Sequence, residues 1–116
     1  MALPKKNRLH AQKDFDNIFK NGKASRGHFL LIKYIKASNR EPRIGFITPA
    51  KVARKAVIRN RIRRILAKTT QQNLSLIKKD MVVLLLKTPM SKKDERELLS
   101  EELNSLILKT NEQDLN

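Results

Sequence analysis

The sequence predicts an α/β (α+β) two-layer sandwich, in which three helices pack on one small mixed sheet. Segments with apolar residues at helical spacing alternate along the chain with short β-prone segments. One of these, residues 81–86, is wholly apolar, which is typical of a central strand covered by other elements. The 116 residues, 40% of them hydrophobic, are enough for one core. We therefore expect a single domain over 1–116, with a flexible basic arm at 1–10 and a flexible tail at 110–116.

The first predicted helix covers residues 11–20. Its apolar side chains recur at i, i+3 and i+4 and so share one face: Phe15, Ile18 and Phe19. The Asn21-Gly22 pair that follows ends the helix, because glycine accepts the backbone conformations found just beyond a helical C-terminus.

Two strands are predicted after this helix. Residues 28–36 are rich in apolar and β-prone types and indicate a long strand. Residues 43–48 indicate a second strand, which Pro49 ends because proline cannot donate to a sheet ladder. The segment between them, 38–42, has the Ser, Asn and Pro composition of a turn.

The rest of the chain predicts a helix, a strand and a helix. The middle helix runs from about 51 to 71, and the apolar strand at 81–86 follows it. The last helix ends near 109, and its leucines and isoleucine fall on one side: Leu99, Leu103, Leu106 and Ile107.

The charge of the chain points to its class of partner. The net charge is +15, the sum of +16 on residues 1–68 and −1 on residues 69–116. So large and one-sided an excess favours a polyanion, most often a nucleic acid, over a membrane or a small-molecule substrate. There is no cysteine for disulfides or thiolate metal sites, and no apolar run near the roughly 20 residues of a membrane span. We expect a cytoplasmic protein.

The predicted helix at 51–71 carries the densest charge, and its residues separate into faces at about 100° each. One side is apolar: Ile58, Ile62, Ile65 and Leu66. The opposite side combines an amide with small residues: Asn60, Ala53, Ala56 and Ala67. Cations line both flanks without one acid among them, so their repulsion is unrelieved within the helix. This favours a nucleic-acid-binding surface over a merely solvated face. The candidate contacts are Lys51, Arg54, Lys55, Arg59, Asn60, Arg61, Arg63, Arg64 and Lys68.

The segment RIGFITPAKVARKAVIRNRIRR resembles the protein subunit of bacterial ribonuclease P. That family carries an Arg-Asn-Arg signature on a helix, preceded by an R-x-G strand and a lysine-rich turn. The matching residues are Arg43, Gly45, Lys51, Arg54, Lys55, Arg59, Asn60, Arg61, Arg63 and Arg64. A further family segment, RL…DF…FxxG, is matched by Arg8, Leu9, Asp14, Phe15, Phe19 and Gly22. The likeness spans about residues 7–68. It departs at Ala50, where the family usually has a lysine.

The resemblance implies a function that composition alone does not give. In this family an RNA subunit hydrolyses the 5′ leader from precursor tRNA, so the protein alone is expected to be inactive. No catalytic or metal-binding residue is expected on the protein, and Mg2+ is expected at the RNA active site. The resemblance further implies one protein per ribonuclease P RNA, with the signature-helix region facing that RNA. It implies a leader cleft lined by Phe15, Phe19 and Tyr34.

The family also has a left-handed crossover from the second predicted strand, through the signature helix, to the last strand. The general rule for such crossovers is the right hand, so this expectation comes from the resemblance alone.

Other interpretations stay open. Phe15 and Phe19 on one helical face are also what a pair of core residues would look like. His10 and His28 are isolated, with no carboxylate cluster near either, which disfavours a protein nuclease. A ribosomal or other structural RNA-binding protein would share the size and charge and is the main alternative. No helix-turn-helix pattern supports a DNA-binding regulator.

Overall fold

The computed structural model describes residues 3–37 and 41–112, which form one sheet, three α-helices and three short 3-10 turns. The strands are β1 (Lys23–Arg26), β2 (Leu30–Lys36), β3 (Ile44–Ile47) and β4 (Lys79–Leu85). The helices are α1 (Gln12–Asn21), α2 (Ala56–Gln72) and α3 (Glu95–Glu112). The 3-10 turns are Lys5–Asn7, Leu74–Leu76 and Lys92–Asp94. The predicted mixed α/β class with three helices is confirmed.

The sheet is mixed, with the strand order β1-β2-β4-β3. β2 pairs antiparallel with both β1 and β4, whereas β3 runs parallel to β4. The chain therefore crosses from β3 through α2 to the adjacent parallel strand, as the resemblance implies. The left hand of this crossover stays a prediction. Of the predicted turn at 38–42, residues 38–40 lie outside the described part of the chain.

One face of the sheet, here called the helical face, packs against α2 and α3. From β2 it presents Leu30, Ile32 and Tyr34, each at most 1% exposed. The two helices cover it with the apolar residues that the periodicity predicts: Ile62, Leu66, Leu99, Leu103, Leu106 and Ile107 from the fully buried set, and Ile58 and Ile65 at its border. Each fully buried side chain of this size contributes about 1.5–3 kcal/mol, so this face holds most of the core.

The opposite face, here called the groove face, carries α1. Ile18 is buried against Val82 of β4, while Phe15 and Phe19 pack beside it and keep part of their rings exposed. The backbone of Gly45 in β3 lies directly under the Phe15 ring. A Cβ at Gly45 would come within 2.6 Å of the ring atom Cε1, so α1 can approach the sheet this closely only over a glycine.

The N-terminal segment is docked on the domain. Leu3 and Leu9 are only 2% and 5% exposed, and the Leu9 amide donates to the Ile44 carbonyl at 3.0 Å. The prediction of a flexible arm is therefore wrong for residues 3–10, while residues 1–2 lie outside the described part. The segment is held because its leucines bury apolar surface and the edge of β3 offers backbone groups for pairing.

The C-terminal helix is longer than the sequence predicts. α3 continues to Glu112, with Thr110 only 1% exposed and the Asn111 side chain donating to the Leu76 carbonyl at 2.8 Å. The prediction of a flexible tail is therefore wrong for residues 110–112, which remain helical, with Thr110 buried and Asn111 bonded to the 3-10 turn Leu74–Leu76. Residues 113–116 lie outside the described part.

β1 is a strand that the sequence pattern does not reveal, because KASR lacks apolar alternation. It is stabilised by its pairing with β2 and by the turn between them. There the carboxylate of Glu102 accepts hydrogen bonds from the amides of His28, Phe29 and Leu30, at 2.8, 2.8 and 2.6 Å. Since these residues form the turn, the strand predicted at 28–36 begins later, at Leu30.

α2 begins at Ala56, five residues later than predicted. In the segment before it, the amides of Val52 and Ala53 both donate to the Pro49 carbonyl at 3.0 Å, which closes a turn. Lys55 then adopts an extended conformation, with φ −82° and ψ 132°. Residues 51–55 are therefore not helical, and the turn directs Ala53 inward, where it is 3% exposed.

Candidate nucleic-acid interface

The solvent-facing side of α2 carries a row of polar and cationic side chains. Asn60, Arg64 and Lys68 follow at i, i+4 and i+8, which places them on one line along the helix, and all three are exposed. Within residues 3–37 and 41–112 their side chains make no hydrogen bond or ion pair. Their donors are therefore available to phosphate oxygens.

The turn before α2 continues this cationic surface. Lys51, Arg54 and Lys55 are exposed, and none of their side chains has a partner among the described residues. The turn thus places three more cations next to the first turn of α2. The sequence predicts these three residues on the helix itself, whereas in the structure they lie in the turn before it. In both cases they extend the same basic surface.

Two other candidate contacts also hold α2 in place. One Nη of Arg59 donates to the carbonyls of Ala53 and Arg54, at 2.9 and 2.8 Å, and so fastens the turn to the helix. Arg63 donates from Nη2 to the hydroxyl of Thr48 at 2.9 Å, which connects α2 to the end of β3. Guanidinium groups carry five N–H donors, so both side chains retain donors for a ligand.

Arg61 is paired with an acid from another helix. Its Nε and Nη2 donate to the two carboxylate oxygens of Glu95, at 2.7 and 3.2 Å, and Glu95 is only 5% exposed. Because its guanidinium donates to this carboxylate, the pKa of Arg61 is raised above its ordinary value. No acid within α2 relieves the repulsion along this helix, but at this position Glu95 of α3 does so.

The predicted face of small residues is only partly formed. Ala56 is exposed near Asn60, as the helical spacing predicts. Ala53 and Ala67 are 3% and 7% exposed, so their prediction as exposed positions is wrong. Ala53 belongs to the inward turn, and Ala67 lies on the buried side of α2, next to Leu66 and one helical turn before the buried Thr70.

The groove face brings together a different set of residues. Phe15 and Phe19 of α1 are partly exposed, as are Leu31 and Lys33 of β2 beside them on this face. Exposed ring surface next to a cation is the arrangement that holds single-stranded nucleic acid. The groove face therefore offers a second surface for RNA, across the sheet from α2.

Tyr34 is not part of that surface. It is 1% exposed and packs in the core of the helical face, where Lys79 Nζ lies 5.5 Å from its ring centroid. The prediction that it lines a cleft with Phe15 and Phe19 is therefore wrong, because successive strand residues point to opposite faces. Lys33, one residue earlier, is a cationic β2 side chain on the groove face, and sequence reasoning missed it.

Arg43, the first residue of the R-x-G match, has a structural role. Its guanidinium bridges Asp14 of α1 and Asp80 of β4, each at 3.2 Å, and its amide donates to the same Asp80 carboxylate at 2.9 Å. The bridge fixes α1 over the start of β3. This positions Phe15 on the groove face.

The histidines and carboxylates do not converge. His28 packs edge-on to Phe29, with ring centroids 4.6 Å apart, and His10 is exposed on the N-terminal segment. In the described part of the chain, no group of three or more His, Cys, Asp or Glu side chains could hold a metal ion. None of the described helices is long and apolar enough to cross a membrane.

Comparison with known proteins identifies relatives along nearly the whole chain. The family model for ribonuclease P matches residues 3–111. The ribonuclease P protein component of Pseudanabaena sp. (strain PCC 6903) is 32% identical over 108 residues, which cover 92% of this chain and 93% of that protein. That of Dictyoglomus turgidum is 33% identical over 87 residues, covering 75% and 72%.

Solved structures agree in fold. The RNase P protein from Thermotoga maritima is 26% identical and superposes with a TM-score of 0.71, over 86% of this chain and 94% of that one. The Staphylococcus aureus RNase P protein, at 24% identity, shows the same fold with a TM-score of 0.68 over 95% and 92%. The ribosomal alternative is thereby set aside. By its family match, its relatives and its fold, the chain belongs to the ribonuclease P protein family.

Proposed function

We propose that this protein component of ribonuclease P binds the RNA subunit through α2 and the turn before it. The observation that carries the proposal is the row formed by Asn60, Arg64 and Lys68, which is exposed and without partners in the described ranges. Free guanidinium and ammonium groups on one face can engage several phosphates at once, and each contact releases counterions from the RNA. The family role, binding ribonuclease P RNA and precursor tRNA for removal of the 5′ leader, is the role of this chain.

The precursor leader, in this proposal, lies on the groove face. Phe15 and Phe19 supply ring surface for stacking, and Lys33 supplies a cation for the backbone. Because α2 covers the helical face, the leader and the RNA subunit contact opposite sides of the sheet. One protein can therefore bind both RNAs at the same time, in a one-to-one complex with the RNA subunit.

Hydrolysis is assigned to the RNA subunit, with Mg2+ at its active site, and the protein alone is proposed to be inactive. The support is chemical. Residues 51–72 contain cations that can neutralise phosphates but no aspartate, glutamate or histidine that could serve as a general base. By reducing repulsion between RNA strands, it lowers the Mg2+ concentration that the complex needs. A cytoplasmic location remains a prediction from the sequence.

Reconstitution tests this proposal. Purified protein is added to a bacterial ribonuclease P RNA and a radiolabelled precursor tRNA, and cleavage is followed at low Mg2+. We expect no cleavage by the protein alone, slow cleavage by the RNA alone, and fast release of the leader by the mixture. An unstimulated RNA, or cleavage by the protein without RNA, contradicts the assignment.

A further inference from the structure

A concave surface of about 580 Å3 lies between α2 and the segment that leads into α3. It is called the α2–α3 groove, or simply the groove, and it is separate from the groove face, which carries α1. One wall is the flank of α2, and the other is the 3-10 turn and first turn of α3. Glu95 is the single carboxylate among the lining residues. The cationic lining residues are Arg61, Arg64, Lys68, Lys92, Lys93 and Arg96. Six cations thus surround a groove that holds one acid.

Most of this charge is uncompensated. Arg61 is paired with Glu95, but the other five cations are exposed and have no hydrogen-bond or ion-pair partner in the described ranges. Like charges around one concave surface raise its potential and attract counter-ions, and their repulsion is relieved when an anion enters. The groove is therefore suited to a ligand with several negative charges.

Glu95 positions Arg61 in the groove wall. The carboxylate is buried and engages the Nε–H and one Nη2–H of the guanidinium. Three of the five N–H donors of Arg61 remain, including both on Nη1. A guanidinium held in this way loses little further side-chain freedom on binding, which favours contact with a phosphate.

The remaining lining residues indicate which part of a nucleic acid fits. They are Ile65, Thr69, Gln72 and Ser100, so the groove has no aromatic ring for base stacking. The Thr69 hydroxyl is buried and donates to the Ile65 carbonyl at 2.9 Å, so it accepts the hydrogen bond that joins it to the Ser100 hydroxyl at 2.9 Å. Ser100 is partly exposed, and its oxygen can still accept a hydrogen bond from a ribose hydroxyl. Several cations beside one hydroxyl, without rings, match a sugar–phosphate backbone.

We propose that this α2–α3 groove binds the sugar–phosphate backbone of the ribonuclease P RNA, with Lys92, Lys93 and Arg96 as contacts beyond the signature helix. The inference rests on the proposed function and adds to it a second wall of the RNA interface. The RNA subunit is favoured over the leader because the α2–α3 groove lies on the helical side of the sheet. Phe15, Phe19 and Lys33, which are proposed to bind the leader, lie on the opposite side, beside α1.

The first test compares two double variants with the same loss of charge. Lys92→Ala/Lys93→Ala removes two groove cations, whereas Lys78→Ala/Lys109→Ala removes two exposed cations outside the groove. Binding of a bacterial ribonuclease P RNA is measured against salt. We expect the groove variant to bind roughly tenfold to hundredfold more weakly at 0.1 M salt, with a log–log salt slope shallower by about 2. The matched control should stay near wild type.

The outcomes separate this inference from the proposed function. If wild-type protein itself fails to bind the RNA, the proposed function is wrong. If wild type binds, and the groove variant binds RNA with the same affinity as the matched control variant, only the groove inference is overturned. This holds whether or not both variants bind more weakly than wild type. All four lysines are exposed, so thermal melts of the variants should match wild type.

A second test identifies which RNA occupies the groove. The chain contains no cysteine, so Lys93→Cys creates a unique attachment point for a photocrosslinker, and Lys33→Cys creates one on the groove face. In the assembled holoenzyme with precursor tRNA, the probe at 93 should crosslink to the RNA subunit and the probe at 33 to the leader. Crosslinking from 93 to the leader, or to neither RNA, overturns the inference.

Discussion

Arg61 of α2 and Glu95 of α3 are joined by two hydrogen bonds, from Nε at 2.7 Å and from Nη2 at 3.2 Å. The Glu95 side chain is 6% exposed, whereas that of Arg61 is 33% exposed. The pair therefore connects the packing of two helices to the surface proposed for RNA. We therefore expect this residue of the Arg-Asn-Arg signature to contribute to both stability and RNA binding.

Arg61→Ala should lower the melting temperature by several degrees and also weaken RNA binding. The loss of stability follows because Glu95 is left as a buried charge without its partner. Arg64→Ala should weaken RNA binding while leaving the melting temperature unchanged, since Arg64 is exposed and has no partner in the described ranges. Thermal melts and salt titrations measure the two effects, and each variant should reduce the salt slope by about 1.

The control is the double variant Arg61→Ala/Glu95→Ala. Removing both charges leaves no orphaned carboxylate, so this protein should melt at a higher temperature than Arg61→Ala alone. A double variant that melts at or below the single variant contradicts the assignment of the lost stability to Glu95.

Gly45→Ala should destabilise the fold by about 1–3 kcal/mol, because the new methyl group collides with the Phe15 ring and moves α1 off the sheet. Urea unfolding measures the change. Adding Phe15→Leu should recover part of the loss, since the smaller side chain leaves space for the methyl group. If Gly45→Ala is as stable as wild type, the close contact does not constrain the fold.

Local periodicity predicts much of this fold. Each apolar stripe that the sequence shows on a helix faces the sheet or its neighbouring helix, and each has buried residues at its centre: Ile18 in α1, Ile62 in α2 and Leu103 in α3. A stripe of this kind is formed by residues three or four positions apart, so a short segment of sequence is enough to reveal it. The same holds for the basic row from Asn60 to Lys68, whose exposure follows from the burial of the opposite side.

Strand orientation is less predictable here. β2 has the sequence LLIKYIK, in which both faces are largely apolar, so alternation does not tell which face Tyr34 joins. The answer depends on which helices cover each face. Since α2 and α3 cover the Tyr34 side and α1 covers the Lys33 side, only the assembled fold assigns these two residues.

Long-range pairs are also invisible to local patterns. Arg61 and Glu95 are 34 positions apart, and Glu102 reaches the amide of Leu30 across 72 positions. Such contacts depend on how α3 docks, which no spacing rule contains. The acids of α3 therefore look like solvated charges in the sequence, although Glu95 and Glu102 each satisfy specific donors.

Low millimolar sulfate should raise the melting temperature by occupying the phosphate sites of the native α2 surface. Sodium chloride at the same ionic strength screens charge without binding and should have a smaller effect. The variant Arg64→Ala/Lys68→Ala should lose most of the difference between the two salts. If it retains the full difference, sulfate acts elsewhere on the protein.

The last prediction concerns the groove face and its role in binding the precursor leader. Phe19→Ala and Lys33→Ala should each reduce the preference of the holoenzyme for precursor over mature tRNA, since stacking on a ring is worth roughly 1–3 kcal/mol. Tyr34→Phe should leave that preference unchanged, because Tyr34 lies on the helical face. Affinities for the two tRNAs give the ratio, and thermal melts identify variants whose core is damaged. Phe15→Leu is the milder substitution, which keeps apolar bulk and removes the ring. If folded variants at 15, 19 and 33 all keep the wild-type ratio, the leader does not contact this face.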